Sequence, residues 1–292
     1  MHSLRRLILV GTLVAVSCGG SPAVETSSTP GGGGTTTTTV PDSGIVESDA
    51  GLTGLSAELA ALRVANEGGL PVDAALDLFA GVFGAIPGGD EGRFAARPGD
   101  GTLALAAVGA HWDELTAEQQ AAVQARLGYS TVQSLLTRQV GGDPVALQAR
   151  VDAARAAFAG LMRMDVPFPI IAEFGSGLDD ALAVAISERD GAFVTTGRPG
   201  VCRLMFDAAI AVPADSSVAH EVFHCFQFHV AGDLRVHFAA DSWVIEGSAT
   251  WAQTKVAGVD SHAAEWFEDW VFNTGSVFGL EYAAVGFFWV IE

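Results

Sequence analysis

The sequence predicts an α+β fold that is mainly helical, with an N-terminal helical region, a small β-sheet and further helices. Three observations predict it. From residue 52 to residue 161, apolar residues recur at the three- and four-residue spacing of amphipathic helices. After residue 165, short apolar runs bounded by Pro and Gly indicate strands. Helical spacing then returns near residue 215 and continues towards the end.

The first 17 residues predict a secretion signal. Arg5 and Arg6 precede an apolar run from Leu7 to Val16, about half of the roughly 20 residues that a membrane-spanning helix needs. The run ends in AVSC, which resembles the lipobox of bacterial lipoproteins, where the cysteine is lipidated and becomes the new N-terminus. This resemblance implies a lipid anchor at Cys18, on the extracytoplasmic face of the cell membrane. The alternative is ordinary signal cleavage nearby, with Cys18 lost and the protein secreted.

Residues 18–50 predict a disordered linker, because they are rich in Gly, Ser, Thr and Pro and contain few apolar side chains. The linker would hold a helical domain, residues 51–164, and a second segment, residues 165–292, away from the membrane. The chain has 34 acidic and 15 basic residues and a formal net charge of −19. Such a surface repels phosphate backbones, so nucleic acid is excluded as a partner.

The helical domain contains segments of helical spacing, and two of them carry start signals. Thr116 and Gln119 fit a capping box, and Asp143 precedes a proline at the first helical position, Pro144. The predicted helical segments cover residues 55–65, 72–86, 111–128, 131–140 and 143–162.

The second segment begins with predicted strands, at residues 166–175, 191–197 and 201–212. Residues 177–191, between the first two, predict a short helix or an irregular crossing. A helix follows over residues 213–232, with Asp215, Ser216 or Ser217 as its N-cap, and the next begins at Asp241 or Ser242 and ends before Gly258. The aromatic-rich tail predicts more helix. Its last apolar run reaches Glu292 without a stop signal, which favours a fragment.

Cysteine usage predicts one disulfide. If Cys18 is lipidated, Cys202 and Cys225 remain in an oxidising compartment, where they would pair. The alternative is two buried free thiols.

The sequence HEVFH at residues 220–224 is the strongest candidate site. On a helix, His220 and His224 are separated by about 40° around the axis, so both rings can reach one ion. Glu221 lies at the edge of that face, too far around the axis to bind the same ion but able to accept a proton from a bound water. The alternative is a helix that carries a pair of structural histidines.

A catalytic zinc ion needs three protein ligands and one open position. The metzincin extension of the motif is absent, since Gln227 and Val230 occupy the positions where it requires Gly and His. The gluzincin arrangement instead takes its third ligand from a Glu on a following helix, and the sequence WVIEGSATW would supply it as Glu246.

The two motifs together resemble those of gluzincin metallopeptidases. HEVFH is similar to the HExxH motif, and WVIEGSA is similar to the WxxEGxA motif of M1-type and related peptidases, with matches at Trp243, Glu246, Gly247 and Ala249. Ile245 replaces the Asn that often precedes the glutamate. The resemblance covers residues 165–292. It implies a zincin-like core, in which a small β-sheet packs on the HExxH helix and on the following Glu-bearing helix.

The resemblance also implies the chemistry. His220, His224 and Glu246 would bind Zn²⁺, and Glu221 would be the general base for a water that attacks the scissile bond of a peptide or protein substrate. Two alternatives stay open: a non-catalytic surface binding module with the same fold, and an inhibitory pro-segment formed by the helical domain.

Such sites usually add a hydrogen-bond donor for the developing oxyanion. Tyr282 is the candidate, with His262 and His237 as rivals.

Overall fold

The computed structural model describes residues 70–94, 100–128, 142–175, 178, 183–210, 212–272 and 280–291. The signal peptide, Cys18, the linker and the predicted helical segments at residues 55–65 and 131–140 lie outside these ranges. The described residues all belong to one compact unit. Within the described ranges, no helix is both long enough and apolar enough to cross a membrane.

The fold is α+β and mainly helical, with one small mixed sheet. The helices before the sheet are α1 (Val72–Phe83), α2 (Asp100–Ala110), α3 (Ala117–Arg126) and α4 (Pro144–Met162), with a 3₁₀ turn at Trp112–Glu114. The strands are β1 (Ile170–Gly175), β2 (Ala183–Arg189), β3 (Ala192–Phe193) and β4 (Val201–Asp207). The helices after the sheet are α5 (Asp215–Ala231), α6 (Leu234–Phe238), α7 (Ser242–Ala257), α8 (Ser261–Phe272) and α9 (Val285–Ile291), with a 3₁₀ turn at Glu281–Ala284.

Both predicted start signals of the helical domain are confirmed. Thr116 and Gln119 form a reciprocal capping box at the start of α3. The Asp143 side chain accepts hydrogen bonds from the backbone N–H groups of Val145 and Ala146, and Pro144 occupies the first turn of α4. Local side-chain chemistry therefore determines where these two helices begin.

Helix α2 lies in the region predicted to be helical, but none of the predicted segments covers it, because it carries no amphipathic pattern. Its residues from Gly101 to Gly109 are almost all buried, because α1, β2, α6 and α7 pack around it. A helix that is enclosed on every side has no polar stripe to mark its period. Gly109 permits a close approach to α6, since a Cβ atom there would lie 2.6 Å from the Phe238 ring.

The sheet has the strand order β1-β4-β2-β3. Strand β1 pairs in parallel with β4, and β2 pairs antiparallel with both β4 and β3. The prediction of a helix or irregular crossing over residues 177–191 was wrong for β2. The first five residues of β2 are all buried, so the strand lacks the alternation of a half-exposed strand. The predicted strands at 191–197 and 201–212 are real but shorter, ending at Phe193 and Asp207.

One hydrophobic core joins the helical domain to the sheet and the later helices. It includes Phe79 of α1, Leu105 of α2, Phe158 of α4, Ile186 of β2 and Phe226 of α5, all of which are fully or almost fully buried. The change near residue 165 is therefore a change of secondary structure within one compact unit. A smaller cluster of Trp243, Ala284 and Phe288 packs the segment from residue 280 onto α7.

Candidate metal centre

The helix that carries HEVFH is held in place from two sides. A disulfide joins Cys225, the residue after His224, to Cys202 of β4, with the two Cα atoms 5.8 Å apart. From α4, the Phe158 ring packs against Phe223 and Phe226 at centroid distances of 5.4 and 5.7 Å. These contacts fix the position of α5 relative to both the sheet and α4.

The three predicted ligands meet between α5 and α7. The rings of His220 and His224 lie on one face of α5 with their centroids 4.8 Å apart. An oxygen of Glu246, Oε2, lies 3.1 Å from His220 Nε2 and 3.6 Å from His224 Nε2. His224 and Glu246 are completely buried, and His220 is 7% exposed. The two helices therefore bring both imidazoles and one carboxylate to a single point.

Glu221 joins the same group. A carboxylate oxygen of Glu221 and one ring nitrogen each of His220 and His224 lie within 4.8 Å of one another, so these buried residues could hold a metal ion. The carboxylate is therefore nearer the imidazoles than the helix geometry predicted. The carboxylate also contacts Thr102 of α2, whose hydroxyl donates to Glu221 Oε2 over 3.3 Å. The same hydroxyl oxygen accepts from the backbone N–H of Ala185 over 3.4 Å.

The hydrogen bonding shows that these residues fit a cation. His224 Nε2 and Glu246 Oε1 are buried and have no hydrogen-bond partner among the described residues. An unsatisfied buried polar atom costs about 1–3 kcal/mol. A metal ion would satisfy both atoms, because a ring nitrogen lone pair and a carboxylate oxygen are both metal ligands.

Each imidazole has an amide partner on its other ring nitrogen. His220 Nδ1 lies 2.9 Å from Gln253 Oε1 on α7, and His224 Nδ1 lies 2.8 Å from Gln227 Oε1 on α5. Gln227 also donates through Nε2 to the carbonyl oxygen of Ile245 and to Ser248 Oγ, at 2.8 and 2.9 Å. Both rings are thus held with Nε2 turned towards Glu246.

Burial and charge displace the pKa values in this group. Burial raises the pKa of Glu221, and the nearby histidines oppose this only in part. Burial alone would raise the pKa of Glu246, but His224 and His220 outweigh it and lower the pKa to about 2. Burial alone would lower the pKa of His224, but Glu246 outweighs it and raises the pKa to about 9. The two carboxylates therefore have opposite tendencies: Glu246 is held charged, and Glu221 binds a proton more readily.

Of the three candidate oxyanion donors, Tyr282 lies against the site. Its ring is 5.8 Å from the His220 ring and stacks on Trp266 at 4.8 Å. His262 is exposed and contacts Trp266 at 5.9 Å. His237 is buried against Phe228, with ring centroids 4.7 Å apart, and burial lowers its pKa to about 3.

Sequence reasoning missed three polar residues of the site: Thr102, Gln227 and Gln253. The two glutamines had a signal in their spacing, because Gln227 lies three residues after His224 and Gln253 lies seven after Glu246, on the same helix faces. Thr102 had no signal, since it contacts Glu221 only through the packing of a helix distant in sequence.

Comparison with protein-family models, with curated protein sequences and with solved structures gave no match. The resemblance to gluzincins therefore depends on the two sequence motifs.

Proposed function

We propose that this chain is a zinc-dependent metallopeptidase of the gluzincin type with a zincin-like core. One observation carries the proposal: His220, His224 and Glu246 converge in a buried site, and a further carboxylate, Glu221, lies beside them. Two imidazoles and one carboxylate are the ligand set of catalytic zinc in peptidases, and they leave a fourth position open. The orphaned Nε2 of His224 and Oε1 of Glu246 support a cation at this point.

A Zn²⁺ ion held there would lower the pKa of a coordinated water towards neutrality and polarise the substrate carbonyl. The chain's own residues supply the proton transfers. Glu221 accepts a proton from the water as its oxygen bonds to the carbonyl carbon, and then gives that proton to the leaving amine as the C–N bond breaks. Burial favours this exchange, because it raises the pKa of Glu221 above the usual value for a carboxyl group.

Two contacts support the assignment of these roles. The Thr102 hydroxyl holds one oxygen of Glu221, which leaves the other oxygen to face the substrate water. The Tyr282 ring lies over His220, so its hydroxyl is the candidate donor to the oxygen of the substrate carbonyl as negative charge develops.

The proposal extends to the location of the enzyme. The AVSC sequence supports a lipid anchor at Cys18, which would place the site on the extracytoplasmic face of the cell membrane. Replacing Cys18 with Ser should release the protein from the membrane fraction. A variant that stays in that fraction would contradict the anchor without affecting the peptidase proposal.

The decisive test compares metal content with hydrolysis. Atomic emission should find about one zinc per chain in the wild type and in Glu221→Gln, because this substitution leaves the three ligands intact. Only the wild type should cleave a mixed peptide library, and a chelator should abolish the cleavage. Glu118→Gln, an exposed change on α3, is the matched control and should keep full activity.

Two outcomes would overturn the proposal. A wild-type protein that contains no zinc would refute the assignment of a zinc site. A zinc-loaded wild type that cleaves no peptide would instead favour a non-catalytic surface binding module with the same fold.

A further inference from the structure

Gln227 has a hydrogen-bond network that determines the orientation of its own amide. It is half-buried on α5, and its amide nitrogen contacts the carbonyl oxygen of Ile245 and Ser248 Oγ. A carbonyl oxygen can only accept, so the amide nitrogen must face Ile245. Ser248 donates its single hydroxyl proton to the carbonyl of Val244, so its oxygen accepts from Gln227 as well. Both amide protons of Gln227 are therefore used.

This orientation of the Gln227 amide determines that Nδ1 of His224 carries a proton. With the amide nitrogen directed to α7, the amide oxygen must face His224 Nδ1, 2.8 Å away. An amide oxygen can only accept, so Nδ1 must carry the proton. The lone pair available to a cation is then on Nε2, the buried atom that has no hydrogen-bond partner and lies 3.6 Å from Glu246 Oε2.

The same side chain also connects the two ligand-bearing helices. Gln227 belongs to α5, whereas Ile245 and Ser248 flank Glu246 on α7. One side chain therefore holds His224 in orientation and fixes the backbone next to the carboxylate that His224 faces.

We infer that Gln227 is a positioning residue that keeps His224 protonated on Nδ1 and directs its Nε2 towards Glu246. Gln253 has the parallel position at His220, since its Oε1 lies 2.9 Å from His220 Nδ1 and its side chain is buried. The protonation of His224 follows from the hydrogen bonds alone, whereas its consequence for metal affinity rests on the proposed function. Residues that orient a metal-binding histidine typically contribute about 10–100-fold to metal affinity.

A carboxylate could not replace the amide. In Gln227→Glu, a carboxylate oxygen would replace the amide nitrogen and face the carbonyl oxygen of Ile245, to which it cannot donate, and a third carboxylate would join Glu221 and Glu246. Gln227→Leu keeps a similar volume and removes all of the hydrogen bonds. Both variants should therefore misplace His224.

Gln148 is the matched control. It is also a half-buried glutamine that links two elements, since its Nε2 donates to the Ile170 carbonyl and its Oε1 accepts from the Ala172 N–H, at 3.0 and 2.9 Å. It joins α4 to β1 and makes no described contact with the metal centre. Gln148→Leu should lower stability without changing His224.

The test uses the full-length protein labelled with ¹⁵N-histidine. In long-range ¹H–¹⁵N spectra of the wild type, His224 should show a protonated, hydrogen-bonded Nδ1, with or without added Zn²⁺. In Gln227→Leu this protection should be lost, and titration with Zn²⁺ alone should show an affinity about 10–100-fold lower. Gln148→Leu should match the wild type in both measurements.

Either of two results overturns the inference: a wild-type His224 whose Nδ1 carries no proton, or a Gln227→Leu variant that keeps both the Nδ1 signal and an affinity within about twofold of the wild type. A wild-type protein that binds no Zn²⁺ but has a protonated His224 Nδ1 would contradict the proposed function and leave the positioning role of Gln227 intact. The spectra of the wild type alone can overturn the inference, even if a variant fails to fold.

Discussion

Reduction of the Cys202–Cys225 bond should destabilise the protein by an amount that depends on the sequence separation of the two cysteines. The bond joins residues with a sequence separation of 23, which corresponds to about 3.4 kcal/mol of unfolding free energy at 25 °C in the loop-entropy relation. In a unit of this size, one kcal/mol shifts the Tm by roughly 2–4 °C, so we expect a fall of about 7–14 °C.

The assay is thermal unfolding of the wild type in its oxidised form and after refolding with a phosphine reductant. Both samples contain the same side chains, so the difference reports the bond and not a cavity. The double variant Cys202→Ser, Cys225→Ser should unfold at or below the temperature of the reduced wild type. A difference of less than about 2 °C between oxidised and reduced protein would refute the reasoning, because it would correspond to at most about 1 kcal/mol.

Three further predictions concern Glu221 as the general base, the packing around Gly109, and the loss of stability at acidic pH. Glu221→Gln should lower the rate of peptide cleavage by about 10²–10⁴-fold at unchanged zinc content, since a general base contributes about that much. Steady-state kinetics and atomic emission measure the two quantities, and an unchanged rate would contradict the role of Glu221 as the general base. Gly109→Ala should destabilise the fold by about 1–3 kcal/mol in urea titrations, because the new methyl group would overlap the Phe238 ring. The control Gly160→Ala, whose methyl group would meet no atom within 4 Å, should be neutral or stabilising by up to about 1 kcal/mol. Equal effects of the two substitutions would contradict the contact between Gly109 and Phe238. The hydrogen bond from Arg155 lowers the pKa of Asp165 in the folded state, so this pair should stabilise the fold above the unfolded pKa and lose its effect as the pH falls through the folded pKa. Asp165→Asn should therefore reduce the difference between the thermal unfolding midpoints measured at neutral and at acidic pH. An unchanged difference would contradict a stabilising contribution from the pair of Arg155 and Asp165.

The common face of His220 and His224 could be predicted because their four-residue spacing sets it on any helix. Glu246 was predicted from the resemblance of WVIEGSA to the gluzincin motif, since its approach to His220 joins two different helices. Helix starts such as Thr116 and Asp143 were equally accessible, because a cap involves residues only a few positions apart.

The remaining features depend on contacts distant in sequence, which no local pattern encodes. Strand β2 and helix α2 are buried on nearly all sides, so neither shows the period that would identify it. Thr102 reaches Glu221 across 119 positions of sequence. The pairing of Cys202 with Cys225 is an exception, because the number of cysteines and the predicted compartment were enough to predict it.

The hydroxyl of Thr102 has a consequence for how the chain can be processed. If the first helices were an inhibitory leader, a protease would cut near residue 165 and discard them, and the mature enzyme would be the remainder. That cut would remove the Thr102 hydroxyl that donates to Glu221, and would expose to solvent the apolar side chains that α2 now covers. We therefore expect the fragment from residue 165 onward to be neither folded nor active when produced alone, whereas a folded and active fragment would support the inhibitory pro-segment.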